Sequence, residues 1–248
     1  MMRGPVYLVG SGEDGLLAKL ARRAQDAARG GRPLRVAVSY APVAGDAGGL
    51  KFMSARMGRL FPGATIERFR VAGEEQGDAR LGTPAVASPR VAGAESADEA
   101  RAIVDRAELV FVSGGDATLG ARILDESGAS AWLREANARG VAMMGVSAGS
   151  IALGAWWADW HEDESGDEED HLARTGLVRG IGAVPGHVFD THNEEDDWDE
   201  LRFVAKLCAR RGETARFLGI PTGGALVFPG DGAMETVGRA PFVLGDAH

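Results

Sequence analysis

The sequence predicts an α/β fold in which one doubly wound, mostly parallel sheet is covered by helices on both faces. Short apolar runs alternate with longer segments of helical spacing along most of the chain, which is typical of repeated strand–helix–strand units. The strand segments are apolar almost throughout, as expected for a sheet with no face open to solvent. The 248 residues are enough to bury a sizeable core, and we expect residues 1–248 to form a single domain.

The amino-terminal part is predicted to contain three strands separated by two helices. The first strand is an apolar run, and the second is apolar except for Arg35 and Ser39, whereas the third also contains charged residues. The strands are residues 6–9, 34–40 and 65–71, and the helices are residues 16–28 and 48–61. Residues 73–93 are polar and rich in Gly and Pro, so they are predicted to form a long surface connection within the domain.

The same alternation continues after residue 96. Ser96, followed three residues later by Glu99, has the pattern of a capping box at the start of a helix. The elements predicted from there are a helix at 97–107, a strand at 108–112, helices at 117–125 and 130–138, a strand at 141–146 with a short helix after it, and a helix beginning at residue 201.

The composition is that of a globular protein without a membrane span. Hydrophobic residues make up 45% of the chain and the mean hydropathy is −0.10, and no apolar run approaches the roughly 20 residues that a spanning helix needs. We therefore expect neither a membrane nor a nucleic-acid partner. The start of the chain lacks a signal-peptide pattern. The single cysteine, Cys208, cannot form an internal disulfide and is predicted to be a small buried residue. Together these features lead us to expect a cytoplasmic protein.

The most informative segment is the apolar run that leads into Gly145-x-Ser147-x-Gly149. This spacing is typical of a strand-to-helix turn that exposes a nucleophilic serine, because side chains in place of the glycines would crowd the neighbouring strand or helix. Ser147 is therefore a candidate nucleophile. The backbone N–H of Ala148, at the start of the helix, is a candidate donor to a developing oxyanion. The alternative is an ordinary strand–turn–helix junction.

A second glycine-rich turn, Ser113-Gly-Gly-Asp116, follows the strand predicted at 108–112. Ligands of open α/β sheets bind at the carboxyl ends of strands, and paired glycines let the backbone approach a ligand closely. The Gly115 N–H is therefore a second candidate oxyanion donor, and Gly114 and Asp116 are candidate substrate-binding residues. The alternative is a glycine turn that serves only to reverse the chain.

Five segments together resemble a known family. They are residues 4–13, 113–116, 145–150, 188–192 and 219–227. The chain resembles the serine peptidases that include dipeptidase E (aspartyl dipeptidase) and cyanophycinase, whose fold is similar to the class I glutamine amidotransferase domain, with flavodoxin-like layering. The resemblance spans nearly the whole chain. It implies that residues 219–227 form a closing pair of strands, and that the protein is a possible homodimer.

A serine nucleophile needs a general base, which is most often histidine. His187 and His192 flank the apolar Val188-Phe189, and their residue types alone leave both open. The resemblance selects His192, at the end of a strand and two residues after an Asp, as the general base.

The acid that orients the base is implied by the resemblance to lie some fifteen to eighteen residues after the serine. That region is an acidic run in which ungapped counting favours Glu162, with Asp163 and Glu164 as alternatives. Nearby tryptophans could supply apolar walls for such a carboxylate. The other acids of the run are predicted to be a solvated surface.

The sequence departs from the family pattern next to the proposed histidine. An aromatic residue and arginines often follow that histidine in the family, whereas Asn193 and four acidic residues follow it here, and Thr222 stands where relatives often carry an acid. Of the 36 acids in the chain, fifteen lie between Asp159 and Glu200. Such a field would attract a cationic substrate, although a merely solubilising surface is the alternative.

The predicted function is hydrolysis of a small peptide or isopeptide bond, such as a β-aspartyl bond of the cyanophycin type, by Ser147, His192 and Glu162. No His, Cys and Asp cluster has the spacing of a zinc site, so we expect neither a metal nor a cofactor. Two alternatives stay open. One is a non-catalytic binding or scaffold protein with the same fold, and the other is an α/β-hydrolase esterase, which shares the serine turn.

Overall fold

The computed structural model describes residues 3–11, 14–28, 33–44, 46–74, 96–160, 167–230 and 233–245. These residues form a succession of strands and helices that begins as the sequence predicts. The strands are β1 Val6–Val9, β2 Arg35–Ser39, β3 Thr65–Arg68, β4 Leu109–Val112, β5 Ala142–Val146, β6 Trp156–Asp159, β7 Gly176–Arg179, β8 His187–Thr191, β9 Arg216–Ile220, β10 Gly224–Phe228, β11 Glu235–Gly238 and β12 Phe242–Val243. The helices are α1 Asp14–Ala28, α2 Ala47–Leu60, α3 Ala97–Asp105, α4 Ala117–Glu126, α5 Ala129–Ala138, α6 Ala148–Ala152, α7 Glu168–Arg174 and α8 Asp199–Arg210.

The main sheet has seven strands in the order β11-β10-β1-β5-β4-β2-β3. Five adjacent strands, β1, β5, β4, β2 and β3, are parallel to one another, whereas β10 and β11 are antiparallel to their neighbours. A parallel pair requires a long crossover, and helices supply the crossovers here. The predicted α/β fold with a mostly parallel sheet is therefore confirmed.

Both faces of the main sheet are buried. Along β4, Leu109 and Phe111 pack on the side of α1 and α2, while Val110 and Val112 pack on the side of α3, α4 and α5. All four side chains are at most 1% exposed. Because successive side chains of a strand point to opposite faces, a strand that is apolar at every position requires such a two-sided core.

Five of the described strands after residue 155 form two smaller sheets that were not predicted from the sequence. β8 pairs in parallel with β9, which pairs with the short β12, and β6 pairs with β7. The predicted strand pair at 219–227 is therefore divided, because β9 belongs to a small sheet and β10 to the main one. α8 covers this region with a third apolar cluster that includes Trp157, Trp198 and Cys208.

Several local predictions can be compared directly with the structure. The capping box is confirmed, since Ser96 Oγ accepts from the Glu99 N–H and a Glu99 carboxylate oxygen accepts from the Ser96 N–H. Cys208 is fully buried, and burial raises the pKa of its thiol to about 11. The end of the acidic run is helical, because Asp167 caps α7 through the Asp170 N–H. Most of the predicted connection at 73–93 lies outside the described residues.

Candidate active site

Ser147 lies between the last residue of β5 and the first residue of α6. Its backbone has φ 52° and ψ −125°, in a region that residues other than glycine rarely adopt. Such a conformation costs of order 1–3 kcal/mol and persists only where the surroundings enforce it. The strand–turn–helix junction that the glycine spacing predicts is thus present, with a strained serine at its turn.

The glycines on either side of Ser147 allow β5, α6 and β4 to come together. A Cβ on Gly145 would lie 2.5 Å from the backbone of Gly149, and a Cβ on Gly149 would lie 2.2 Å from the Val112 carbonyl oxygen. Both distances are far below van der Waals contact. A side chain at either position would therefore push α6 away from the sheet, which is the reason that the sequence analysis gives for the motif.

The turn after β4 lies directly against Ser147. A Cβ on Gly114 would lie 3.4 Å from the Ser147 Cβ. Gly115 has φ 143°, and a Cβ there would lie 2.1 Å from the Pro42 carbonyl oxygen, so only glycine fits. Pro42 belongs to a 3-10 turn, and its carbonyl accepts a hydrogen bond from the Asp116 N–H at 2.7 Å. That turn therefore holds the glycine loop beside the serine.

The two candidate oxyanion donors are the backbone N–H groups of Ala148 and Gly115. Within the part of the chain that the structure describes, neither the Ala148 N–H nor the Gly115 N–H has a hydrogen-bond partner. An N–H at the start of a helix has no partner inside the helix, so the Ala148 donor is available to a ligand. Asp116, a candidate substrate-binding residue, uses one carboxylate oxygen to cap α4 through the Leu119 N–H.

His192 is the histidine that the structure brings to Ser147. The distance between Ser147 Oγ and His192 Nε2 is 2.8 Å, which is a hydrogen bond. His192 follows β8 and has φ 45°, and its backbone N–H donates to the Ile220 carbonyl at the end of β9. His187 lies at the opposite end of β8, where its Nδ1 contacts the Pro185 carbonyl oxygen and its ring packs on Phe189. It does not contact Ser147.

A buried carboxylate holds the residues on both sides of His192. Asp190 is 1% exposed, and its two oxygens accept hydrogen bonds from the Thr191 N–H at 2.7 Å and from Asn193 Nδ2 at 3.1 Å. Burial raises the pKa of Asp190 to about 6, although these hydrogen bonds and the nearby His192 oppose the rise. Asp190 thus fixes the turn that carries the histidine.

Further carboxylates surround this turn. Asn193 Nδ2 also donates to Asp199, and desolvation together with the charges of Asp190, Asp199 and other nearby acids raises the pKa of Glu200 to about 7. Asp199 and Glu200 also line a cavity of about 370 Å³ at the junction of α7 and α8. The Trp160 and Phe203 rings in its wall lie 4.7 Å apart, centroid to centroid.

The predicted acid and its two alternatives are not part of this geometry. Glu162, Asp163 and Glu164 lie outside the described residues. The later acids of the same run, Asp167–Asp170, are exposed, as predicted for a solvated surface. Across the described ranges, no three His, Cys, Asp or Glu side chains are grouped so that they could hold a metal ion.

Sequence analysis did not identify three residues that shape the site. They are Pro42, which supports the glycine loop, Asp190, which holds the histidine turn, and Ser150, whose hydroxyl bonds to the end of β1. The only available signal was the position of Asp190 two residues before His192. Pro42 and Ser150 contact parts of the chain that are far away in sequence, so their neighbours in the sequence give no sign of these roles.

None of the described helices is both long enough and apolar enough to cross a membrane.

Comparisons with known proteins identify the family of this chain. The model of peptidase family S51 matches residues 91–236, more than half of the chain. No curated protein matches the sequence. Among solved structures, the fold is similar to a peptidase from an acI-B1 Actinobacterium, with a TM-score of 0.68 and 19% identity over 100% of this chain and 96% of that one. It is also similar to a peptidase E-like protein from Listeria monocytogenes EGD-e, with a TM-score of 0.58 and 13% identity over 96% of this chain and 100% of that one. The protein therefore belongs to peptidase family S51, the dipeptidase E family, and is a peptidase-type hydrolase.

Proposed function

We propose that this protein is a serine peptidase that hydrolyses a peptide or isopeptide bond in a small substrate, with Ser147 as nucleophile and His192 as general base. The observation that carries the proposal is the 2.8 Å contact between Ser147 Oγ and His192 Nε2. Ser147 Oγ attacks the scissile carbonyl carbon while Nε2 takes its proton, and the imidazolium then returns a proton to the leaving amine. Water hydrolyses the acyl-enzyme by the same proton path.

The oxyanion of each tetrahedral intermediate is stabilised by the Ala148 and Gly115 N–H groups. Both donors flank Ser147 and both lack a partner among the described residues. A donor held in advance at this point costs no reorganisation during the reaction, and its removal costs on the order of 10²–10³ in kcat. Gly114 and Asp116 are the residues of the same loop that contact the substrate.

The acid of the proposed triad is Glu162, with Asp163 and Glu164 as alternatives. This part of the proposal rests on the resemblance to the family and on the count of residues after Ser147. Asp190 is close to His192 but is a poorer choice, because its two oxygens bind Thr191 and Asn193 and neither bonds to the His192 ring in the described residues.

The preferred substrate carries a positive charge next to the scissile bond. The carboxylates of Asp116, Asp190, Asp199 and Glu200 lie close enough to one another to raise the pKa of Glu200, so a cation is favoured where they meet. The cavity that Asp199 and Glu200 line also offers aromatic faces, and such faces attract ammonium and guanidinium groups. Its wall also contains Arg202 and Lys206, each of which is paired with an acid. A β-aspartyl-arginine isopeptide has the required chemistry.

The test is kcat/KM for a panel of substrates at low and high salt. The panel contains an Arg-containing isopeptide, a dipeptide with N-terminal Asp and an ester of matched size. We expect hydrolysis of the Arg-containing amide to be fastest and to slow as salt screens the field, and Ser147→Ala to be inactive on all three. Preference for the ester favours the esterase alternative. Absence of turnover together with an unreactive serine favours a binding protein. Faster hydrolysis of the dipeptide with N-terminal Asp would contradict the proposed preference for a cationic substrate.

A further inference from the structure

Ser150 connects the helix that follows the nucleophile to a different strand. Its side chain is 0% exposed. Its Oγ donates a hydrogen bond to the Val9 carbonyl at 3.0 Å and accepts one from the Val9 N–H at 2.9 Å. Val9 is the last residue of β1, the strand next to β5 in the main sheet. One hydroxyl thus satisfies both backbone polar groups at the end of a central strand.

The same carbonyl also binds the nucleophile. The Val9 oxygen accepts a hydrogen bond from the Ser147 N–H at 2.9 Å, so Ser147 and Ser150 converge on one acceptor. The spacing of three residues places both on the first turn of α6, where each can reach the end of β1. The position of the Ser147 backbone is therefore set from two directions, by its own N–H and by the helix that Ser150 holds.

From this geometry we propose that Ser150 is a positioning residue that keeps Ser147 in the strained conformation from which it attacks the substrate. The inference rests on the proposed function, because it assigns Ser150 a part in the same reaction. Ser150 itself does not reach the substrate, since its side chain is completely buried and both of its hydrogen bonds go to Val9. It acts through the backbone of α6.

The physical reason lies in the backbone of Ser147. With φ 52° and ψ −125°, this residue relaxes toward an ordinary conformation unless neighbouring contacts prevent it. In Ser150→Ala the Val9 N–H loses its partner in a buried site, which costs about 1–3 kcal/mol. The start of α6 then keeps the hydrogen bond from the Ser147 N–H to Val9 but loses both hydrogen bonds of Ser150, so its position is less well fixed. A nucleophile displaced by about 1 Å can lose about 10² in rate.

Asn137 provides a matched control at the other end of the same two strands. Its side chain is 0% exposed, and its Nδ2 donates to the carbonyls of Gly4 and Val141, which precede β1 and β5. Asn137→Ala therefore removes two buried hydrogen bonds to the segments that lead into these strands, but far from Ser147. It reports what loss of stability alone does to the enzyme.

The experiment compares the rate of labelling by a fluorophosphonate with kcat and KM, for parent, Ser150→Ala and Asn137→Ala, at a temperature where all three are folded. We expect Ser150→Ala to lower both the labelling rate and kcat by about ten- to a hundred-fold with KM nearly unchanged, and Asn137→Ala to label at the parental rate. Ser150→Cys, whose thiol keeps the volume but is a weak donor and acceptor, serves the same comparison if Ser150→Ala does not fold.

The inference is overturned if the Ser150 variant labels as fast as the parent, or if Asn137→Ala slows labelling as much. A parent that the reagent does not label at all overturns the proposed function and this inference together. A labelled parent with unaffected Ser150 variants overturns this inference alone, so the two failures are distinguishable.

Discussion

Asn193 Nδ2 donates a hydrogen bond to Asp190 Oδ2 at 3.1 Å. Asn193 directly follows the proposed general base, His192, and Asp190 lies two residues before His192. The second oxygen of Asp190 binds the Thr191 N–H, on the other side of His192. His192 has φ 45° between these two anchors. A buried carboxylate is costly unless it is hydrogen-bonded, and here it is retained where it fixes the turn that carries His192.

The first prediction concerns Asp190. Asp190→Asn replaces one accepting oxygen with an amide NH2 group, which cannot accept, so the hydrogen bond from either Thr191 or Asn193 is lost. We expect kcat to fall about tenfold or more while KM changes little, because His192 loses its fixed position and not its chemistry. The control is Asp196→Asn, the same change of charge at an exposed residue of the same turn. Equal effects of the two substitutions would show that charge, and not the hydrogen bonds of Asp190, is responsible.

The second prediction concerns the glycine loop. In Gly115→Ala the new Cβ would lie 2.1 Å from the Pro42 oxygen, so the loop must move and the Gly115 N–H with it. We expect kcat to fall by on the order of 10²–10³, the cost of one oxyanion donor. Gly128→Ala is the matched control, since Gly128 also has positive φ, at 75°, and a Cβ there meets no described atom within 4 Å. Normal activity in Gly115→Ala would remove this loop from the oxyanion site.

The third prediction is a pH dependence of stability. Desolvation and neighbouring carboxylates raise the pKa of Glu200 from 4.5 to about 7 in the folded protein, so its ionised form is disfavoured there relative to the unfolded chain. The parent therefore loses stability relative to Glu200→Gln as the pH rises from about 4.5 to about 7, and the difference is constant above that range. Denaturant unfolding of both proteins at several pH values measures it.

Glu67 provides a control of opposite sign for that measurement. A hydrogen bond from the Arg106 guanidinium lowers the pKa of Glu67. The parent should therefore gain stability relative to Glu67→Gln as the pH rises through the acidic range. If the Glu200 difference has the same sign as the Glu67 difference, the described crowding of carboxylates around Glu200 is wrong.

The fourth prediction concerns the acid of the triad. Glu162→Gln should lower kcat by orders of magnitude with little change in melting temperature, because an amide does not stabilise the imidazolium. Glu169→Gln is the control, since Glu169 belongs to the same acidic run and pairs with Arg210 at the exposed surface. A large effect at Asp163 or Glu164 would move the assignment by one or two residues along the chain.

The central strands of the main sheet could be predicted from sequence because they are buried on both faces. Runs such as Leu109–Val112 are apolar at every position, which leaves little choice of structure. The smaller sheets were missed for the opposite reason. β7, for example, is a short strand with mostly exposed or half-buried positions, and its sequence lacks the continuous apolar run that identifies a buried strand.

The candidate site could be predicted only where its geometry depends on residues that are close together in the sequence. The glycines around Ser147 and in the 113–116 turn are required by close backbone contacts, and those requirements appear in the sequence itself. The contacts of Pro42 with the glycine loop and of Ser150 with Val9 join segments far apart in the chain. A single sequence contains no local sign of such pairs.

The central claim is that Ser147 is a nucleophile activated by His192. The most direct test is the rate of fluorophosphonate labelling, measured by intact mass, with the labelled residue identified by peptide mapping. The account predicts one adduct per parent chain, located on Ser147, and none on Ser147→Ala. It predicts labelling slowed by orders of magnitude in His192→Ala and near the parental rate in His187→Ala, since only His192 contacts Ser147. An adduct that persists in Ser147→Ala, or labelling that depends on His187 and not on His192, would contradict the account.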